Sequence, residues 1–117
     1  MSNIVIYVDT TNVSASGLID LHRATGLPLS EVRRVIASGK PVIEQEIFDA
    51  NYDDHAALIR SVLRAIESGG MEYRIYELPE GETTESCTFV DRCLVSIETV
   101  RNILSEADTE MDRQLDA

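Results

Sequence analysis

The chain has one lysine against nine arginines, two cysteines in 117 residues, and no long apolar run. Each scarcity excludes something. Without a long apolar run there is no candidate membrane-spanning helix, and Met1–Thr10 does not read as a secretion signal. Cys87 and Cys93 lie six apart, which is not the C-x-x-C spacing of redox or zinc sites. The expectation is a pair of reduced thiols in a cytoplasmic protein. No G-x-x-x-x-G-K-[ST] and no G-x-G-x-x-G occurs, so nothing in the sequence points to a phosphate cradle.

What the chain has in excess is acid. Twenty-one Asp and Glu face ten Lys and Arg, a formal charge of −11. Such a chain repels nucleic-acid backbones and anionic lipid, so neither nucleic acid nor membrane is an expected partner. A basic protein would be attracted. Charge of this size also serves solubility alone, and both roles stand open.

Length allows one domain. Asn3–Val8 alternates as a strand apolar on both faces, so something should cover each side. Leu18, Leu21 and Thr25 share a face of a helix over Ala15–Thr25, ended by Gly26. Leu29, Val32, Val35 and Ile36 form the stripe of a second helix that starts near Pro28 and stops at Gly39 and Pro41. Val42–Phe48 reads as a strand whose Glu44 and Glu46 suggest a sheet edge. Asp53 and Asp54 suit the start of the longest helix, where Ile59, Val62, Leu63 and Ile66 repeat at helical spacing until Gly69-Gly70. Met71–Leu78 alternates as a third strand.

The expected fold class is therefore α/β (α+β), a two-layer sandwich. Its order is β-α-α-β-α-β, a three-stranded sheet with three helices on one face, plus a C-terminal helix. The expected division is residues 1–78 as the folded core and 79–117 as an acidic linker and helix. Pro79–Ser86 has linker composition, and residues 79–117 hold ten acids and three bases. Within them Val90, Cys93, Ile97, Val100, Leu104, Ala107 and Met111 step by alternate threes and fours, a heptad seam. That seam would either pack across the open sheet face of Val5, Tyr7, Tyr76 and Leu78 or meet a partner, including a second copy of the chain.

The stretch A-T-G-L-x-L-x-E-V at Ala24–Val32, the apolar Val35-Ile36, the exit at Pro41 and the D-D-x-A-x-L-I opening at Asp53 carry a resemblance. Ala24–Gly70 resembles the C-terminal domain of the bacterial ribosomal stalk protein. The Clp-protease adaptor family is similar to it in general plan. The resemblance implies a small protein-binding domain. The stalk family's factor-binding positions fall on Ile19, His22 and Arg33. Arg33 keeps the basic character there, whereas an isoleucine cannot donate a charge-assisted bond. The stalk family's N-terminal anchoring domain is not expected. The Clp adaptors place an Asn-Asp pair after the first strand to hold a peptide's amino terminus. Here that spot reads Asp9-Thr10-Thr11, so end recognition is not expected.

The chemistry-bearing residues point the same way. Asp53-Asp54-His55 resembles a metal cluster in one dimension, but neighbours at a helix start point apart and no second His/Cys pair completes a site. Cys87 and Cys93 have no histidine near them in sequence. Arg60 and Arg64 sit one turn apart near Glu67 and are expected to pair on the surface. No catalytic residue, metal or cofactor is expected. The expected function is a non-enzymatic protein-interaction module of a bacterial cytoplasmic protein, using the helical face (Ile19, His22, Arg33) or the C-terminal helix (Leu104, Glu106, Asp108). The alternative is an immunity-type inhibitor that neutralises a basic toxin, a nuclease for example.

Overall fold

The first strand, β1 (Asn3–Val8), is the axis of the molecule, because both of its faces are apolar and both are covered. The computed structural model describes residues 3–9, 13–46, 52–79, 82–88 and 90–116, with residues 110–116 described for their backbone. Helices α1 (Ala15–Thr25) and α2 (Leu29–Ala37) follow β1. Next come β2 (Ile43–Glu46), α3 (Tyr52–Gly69) and β3 (Tyr73–Leu78). A short β4 (Leu94–Val95) and α4 (Ile97–Asp116) complete the order.

Through Leu78 this is the expected β-α-α-β-α-β. The sheet differs: it has four strands, all pairs antiparallel, in the order β2-β1-β3-β4. β2 and β3 run parallel to each other with β1 between them, so α3 forms the crossover. β2 lies at the edge, as its glutamates suggest, and Glu44 is exposed. Ile47 and Phe48, assigned to this strand from sequence, lie outside the described residues. The fourth strand escaped the sequence reading because two residues cannot display alternation.

Strand alternation sorts the side chains into two cores. Ile4, Ile6 and Val8 of β1 and Ile75 of β3 face the helices. There they join Leu21, Val32, Ile36, Ile59, Val62, Leu63 and Ile66 from the three helices. Val5, Tyr76 and Leu78 face the other way and form a second, small core.

Helices α1 and α3 approach closely. A Cβ built on Gly69 would lie 3.8 Å from the Cα of Gly17 and 2.8 Å from the Cε of Met71, so glycine leaves room there for the Met71 side chain. Gly26 sits at φ 74° and donates its N–H to His22 O at 3.0 Å, the left-handed close of a helix that costs glycine least.

The C-terminal segment departs furthest from expectation. The heptad seam is not one helix. Val90–Cys93 is a 3₁₀ turn, then comes β4, and α4 starts only after Ser96, whose Oγ accepts from Thr99 N at 3.1 Å. Residues three apart eclipse in a 3₁₀ turn, so Val90 and Cys93 keep a common side without any α-helix. Nor does α4 cross the open sheet face. Ile97, Val100 and Leu104 are buried in the main core with α3. The open face is covered instead by residues 82–88 and 90–93, whose Cys87, Val90 and Cys93 pack on Val5, Tyr76 and Leu78. The stretch read as a linker is thus a flap with a packing role, and all four helices contribute to one side of the sheet.

Candidate protein-binding surfaces

The turn between α1 and α2 explains the A-T-G-L motif locally. Thr25 Oγ1 donates to Leu21 O at 2.7 Å and accepts from Leu27 N at 3.2 Å. His22 Nδ1 lies 2.5 Å from Leu27 O, so the ring ties the end of α1 to the turn. Ser14 caps the start of α1 by accepting from Gly17 N at 3.1 Å. With Gly17 and Leu21 turned inward, Ile19 and Arg23 turn outward, and Ile19 is 40% exposed. On α2, Val32 and Ile36 are buried while Arg33 and Arg34 are exposed. Arg34 pairs with Glu31 at the surface, where such a pair is worth little. Of the three positions the resemblance singled out, Ile19 and Arg33 are therefore open to a partner, whereas half-buried His22 acts within the turn.

The second group is split differently. Leu104 is fully buried, so it belongs to the core and not to a surface. Its seam position expresses packing on α3. Glu106 is exposed. Asp108 is half-buried and bonded twice: Oδ2 accepts from Arg60 Nη2 at 2.5 Å, and Oδ1 lies 2.7 Å from the Tyr52 hydroxyl. That hydroxyl also reaches Leu104 O at 3.0 Å, so its one proton is shared between two acceptors. A second ion pair joins Arg101 to Glu67. Where pairs near Glu67 were expected on the surface of α3, Arg60 and Glu67 each reach across to α4. Burial alone would raise Asp108, but the hydrogen bonds from Tyr52 and Arg60 and the guanidinium charge outweigh it and hold the carboxyl below its ordinary value. Tyr52 is pushed up to about 12, first by burial and then by the Asp108 carboxylate beside it.

On the second sheet face, which alternation outlines from Val5, Tyr7, Tyr76 and Leu78, Arg74 is the group that the sequence left unmarked. Tyr7 and Tyr76 meet edge to face, centroids 5.9 Å apart at 88°. The Arg74 guanidinium lies 4.9 Å over the Tyr7 ring, and its Nη1 donates to Tyr76 Oη at 3.3 Å. The flap is fastened by a 2.6 Å bond between Tyr7 Oη and Thr84 Oγ1 and a 3.4 Å bond from Asn3 Nδ2 to Glu82 O. Leu94, on β4 opposite Tyr76, is 54% exposed. Strand alternation alone put Tyr7 and Tyr76 on one face. The T-E-S-C and V-D-R-C pieces offered no period that would have marked them as its cover. A groove of about 700 Å³ opens where β1 ends and β3 begins beside α2, lined by Tyr7, Asp9, Ile36, Gly39, Tyr73 and Arg74 among others.

His55 is not aimed at a metal. Its Nδ1 donates to Glu46 O at 2.8 Å, and its Nε2 accepts from Gln45 Nε2 at 3.1 Å, joining the start of α3 to β2. Asp53 and Asp54 sit exposed in the first turn of α3. Among the described residues, no group of three or more His, Cys, Asp or Glu could hold a metal ion. No helix of the described residues is long and apolar enough to cross a membrane. Comparison with family models, with curated proteins and with solved structures returns no match.

Proposed function

We propose that the chain is a non-enzymatic protein-interaction module of the bacterial cytoplasm that docks its partner on the outer face of α1 and α2. The reading draws on the likeness to the stalk C-terminal domain and the Clp adaptors, supported by the element order and the Thr25–Leu27 turn. The observation that carries it is Ile19, a large aliphatic side chain 40% exposed on a helix, with exposed Arg23 on the same helix and exposed Arg33 on the next. An apolar anchor with arginine nearby is the composition favoured at the centre of interfaces. Leu104 is committed to the core, which turns the choice between helical face and C-terminal helix toward the former.

The test is a comparative capture from native cells with three tagged proteins: the unaltered chain, Ile19→Asp and Glu106→Gln. A partner held by the first and third but lost by the second, with circular dichroism unchanged, supports this face. Retention by Ile19→Asp sinks it.

One observation favours the second reading, an inhibitor of a basic toxin. Helices α1, α2 and α3 together hold five acids and five bases, so the whole excess of −11 lies elsewhere in the chain. Glu85, Asp91, Glu98 and Glu106 of that remainder are exposed on the flap and α4. Such a segregated charge steers a cationic partner. Its signature is an association rate that falls steeply with salt and falls again on Glu106→Gln.

A further inference from the structure

Cys87 and Cys93 are free, half-buried, and packed on one small cluster, Val5, Tyr76 and Leu78. Two turns of different kinds bring them there. Thr83 and Ser86 exchange N–H···O bonds of 2.8 and 3.1 Å, and Cys87 N donates to Thr83 O at 2.9 Å, which fixes Cys87 against the sheet. The 3₁₀ turn delivers Cys93 on the same side as Val90. The flap carrying both thiols is itself tied down through Tyr7–Thr84 and Asn3–Glu82.

We propose that Cys87 and Cys93 form a reversible intramolecular disulfide by exchange with a low-molecular-weight disulfide of the glutathione type. The flap is thus a thiol-modification site, and its cover over the second sheet face closes covalently under oxidising conditions. The Cys93 thiol is pushed up by burial and then by the neighbouring Cys87 thiol and the Glu77 carboxylate, so Cys93 keeps its proton and resolves rather than attacks. Cys87 as thiolate attacks one sulfur of the small disulfide. That S–S bond breaks, and one small thiolate leaves and takes up the proton Cys87 gave. Cys93 then loses its proton, attacks the Cys87 sulfur and expels the second small thiol. Two protein thiols lose two electrons and two protons; the small disulfide gains them as two thiols.

The fold should raise the tendency to close. Five residues separate the two cysteines in a free chain, and only the fold holds both against one cluster. The experiment equilibrates the full chain in glutathione redox buffers, with and without denaturing urea, and reads trapped species by alkylation and intact mass. Expected is a monomer lighter by two hydrogens. Its closure should be at least about tenfold more favoured in the native chain than in urea, a shift of about 30 mV for two electrons. The Cys93→Ser variant should stop at the glutathione adduct on Cys87. Equal closure in the two conditions, adducts persisting on the unaltered chain, or disulfide-linked dimers would each overturn the proposal. The native-to-urea ratio stands even where Cys93→Ser fails to fold.

Discussion

The two faces of the sheet are built from the same strands and hold by different means. The helix side buries twenty described side chains in one cluster, nearly all aliphatic. The far side buries three, beneath a flap fastened by a tyrosine hydroxyl, an asparagine amide and two thiols at the edge of the cluster. Apolar area sets stability, at about 25 cal/mol per Å² removed from water, so most of the fold's stability resides on the helix side. The flap side is where opening should cost least, since sparse burial marks the low-stability parts of a protein.

A chain ending at Leu78 removes both covers at once and tests the comparison most severely. It loses Ile97, Val100 and Leu104 from the main core, three side chains worth about 1.5–3 kcal/mol each, and it bares Tyr76 and Leu78. Against a total of about 5–15 kcal/mol for such a domain, the remainder is marginal. Expected is loss of the cooperative thermal transition seen for the full chain. A truncated protein with an unchanged transition would show that residues 79–117 are an appendage after all.

Next come matched truncations, one on each face. Leu104→Ala should cost about 2–5 kcal/mol in urea denaturation, because Leu104 is wholly buried between α3 and the rest of the core. Val90→Ala removes a half-buried side chain from the flap and should cost under about 1 kcal/mol. Equal costs would erase the distinction between the faces. Amide exchange offers the same contrast without mutation: residues 82–88 and 90–93 should exchange faster than the middle of α3.

How much of this was legible beforehand follows from physics. The boundaries of β1 and α1, the edge placement of β2, and the helix stops at Gly26, Gly39 and Gly70 were readable, since alternation, helical spacing and left-handed glycine are local signals. The assignment of Ile4, Ile6 and Val8 to one side and Val5 and Tyr7 to the other followed from period two. After Pro79 the C-terminal helix was foreseen, but its start, what it packs on and the covering role of the segment before it were not. The steps of three and four from Val90 to Leu104 look like one helix, yet 3₁₀ turn, strand and α-helix all satisfy part of that spacing. A seam also says that a face is apolar without saying what it meets. α4 met α3, and that choice depends on contacts far apart in sequence, such as Tyr52 with Leu104, 52 residues distant. Of the residues singled out for binding, Ile19 and Arg33 lie exposed, while Leu104 is hidden by the same packing that produced its seam position.

Two tyrosines sharpen the comparison at smaller scale. Tyr52→Phe deletes a buried hydroxyl that serves Leu104 O and Asp108, and about 1–2 kcal/mol should go with it, Asp108 being charged. Tyr7→Phe deletes the bond to Thr84 at the half-buried flap and should cost about 0.5–1 kcal/mol. The second change should also speed amide exchange in the flap while leaving α4 protected. The first should do the reverse. Loss of protection in the same segments for both would mean that the two faces open together.

The smallest effect is a pH dependence that belongs to the helix side alone. Asp108 is held below its ordinary value of 3.8, so the folded chain binds that proton less readily than the unfolded one. Its contribution is present in full above the unfolded value. It is lost as pH falls through the folded one, with a window that opens near pH 4 and extends downward. The Asp108 side chain is 43% exposed and that of Arg60 36%, so solvent screens the pair and the effect should be under about 1 kcal/mol. At the alkaline end Tyr52, raised to about 12, contributes stability that is complete below pH 10 and fades between there and 12. Asp108→Asn should flatten the acid limb of the stability curve and leave flap exchange unchanged. It should also lower Tyr52, since the carboxylate that raises the phenol is gone, and ultraviolet titration of the tyrosines reads that directly. An unaltered acid limb in Asp108→Asn, with the protein still folded, would remove Asp108 from the clasp between α3 and α4.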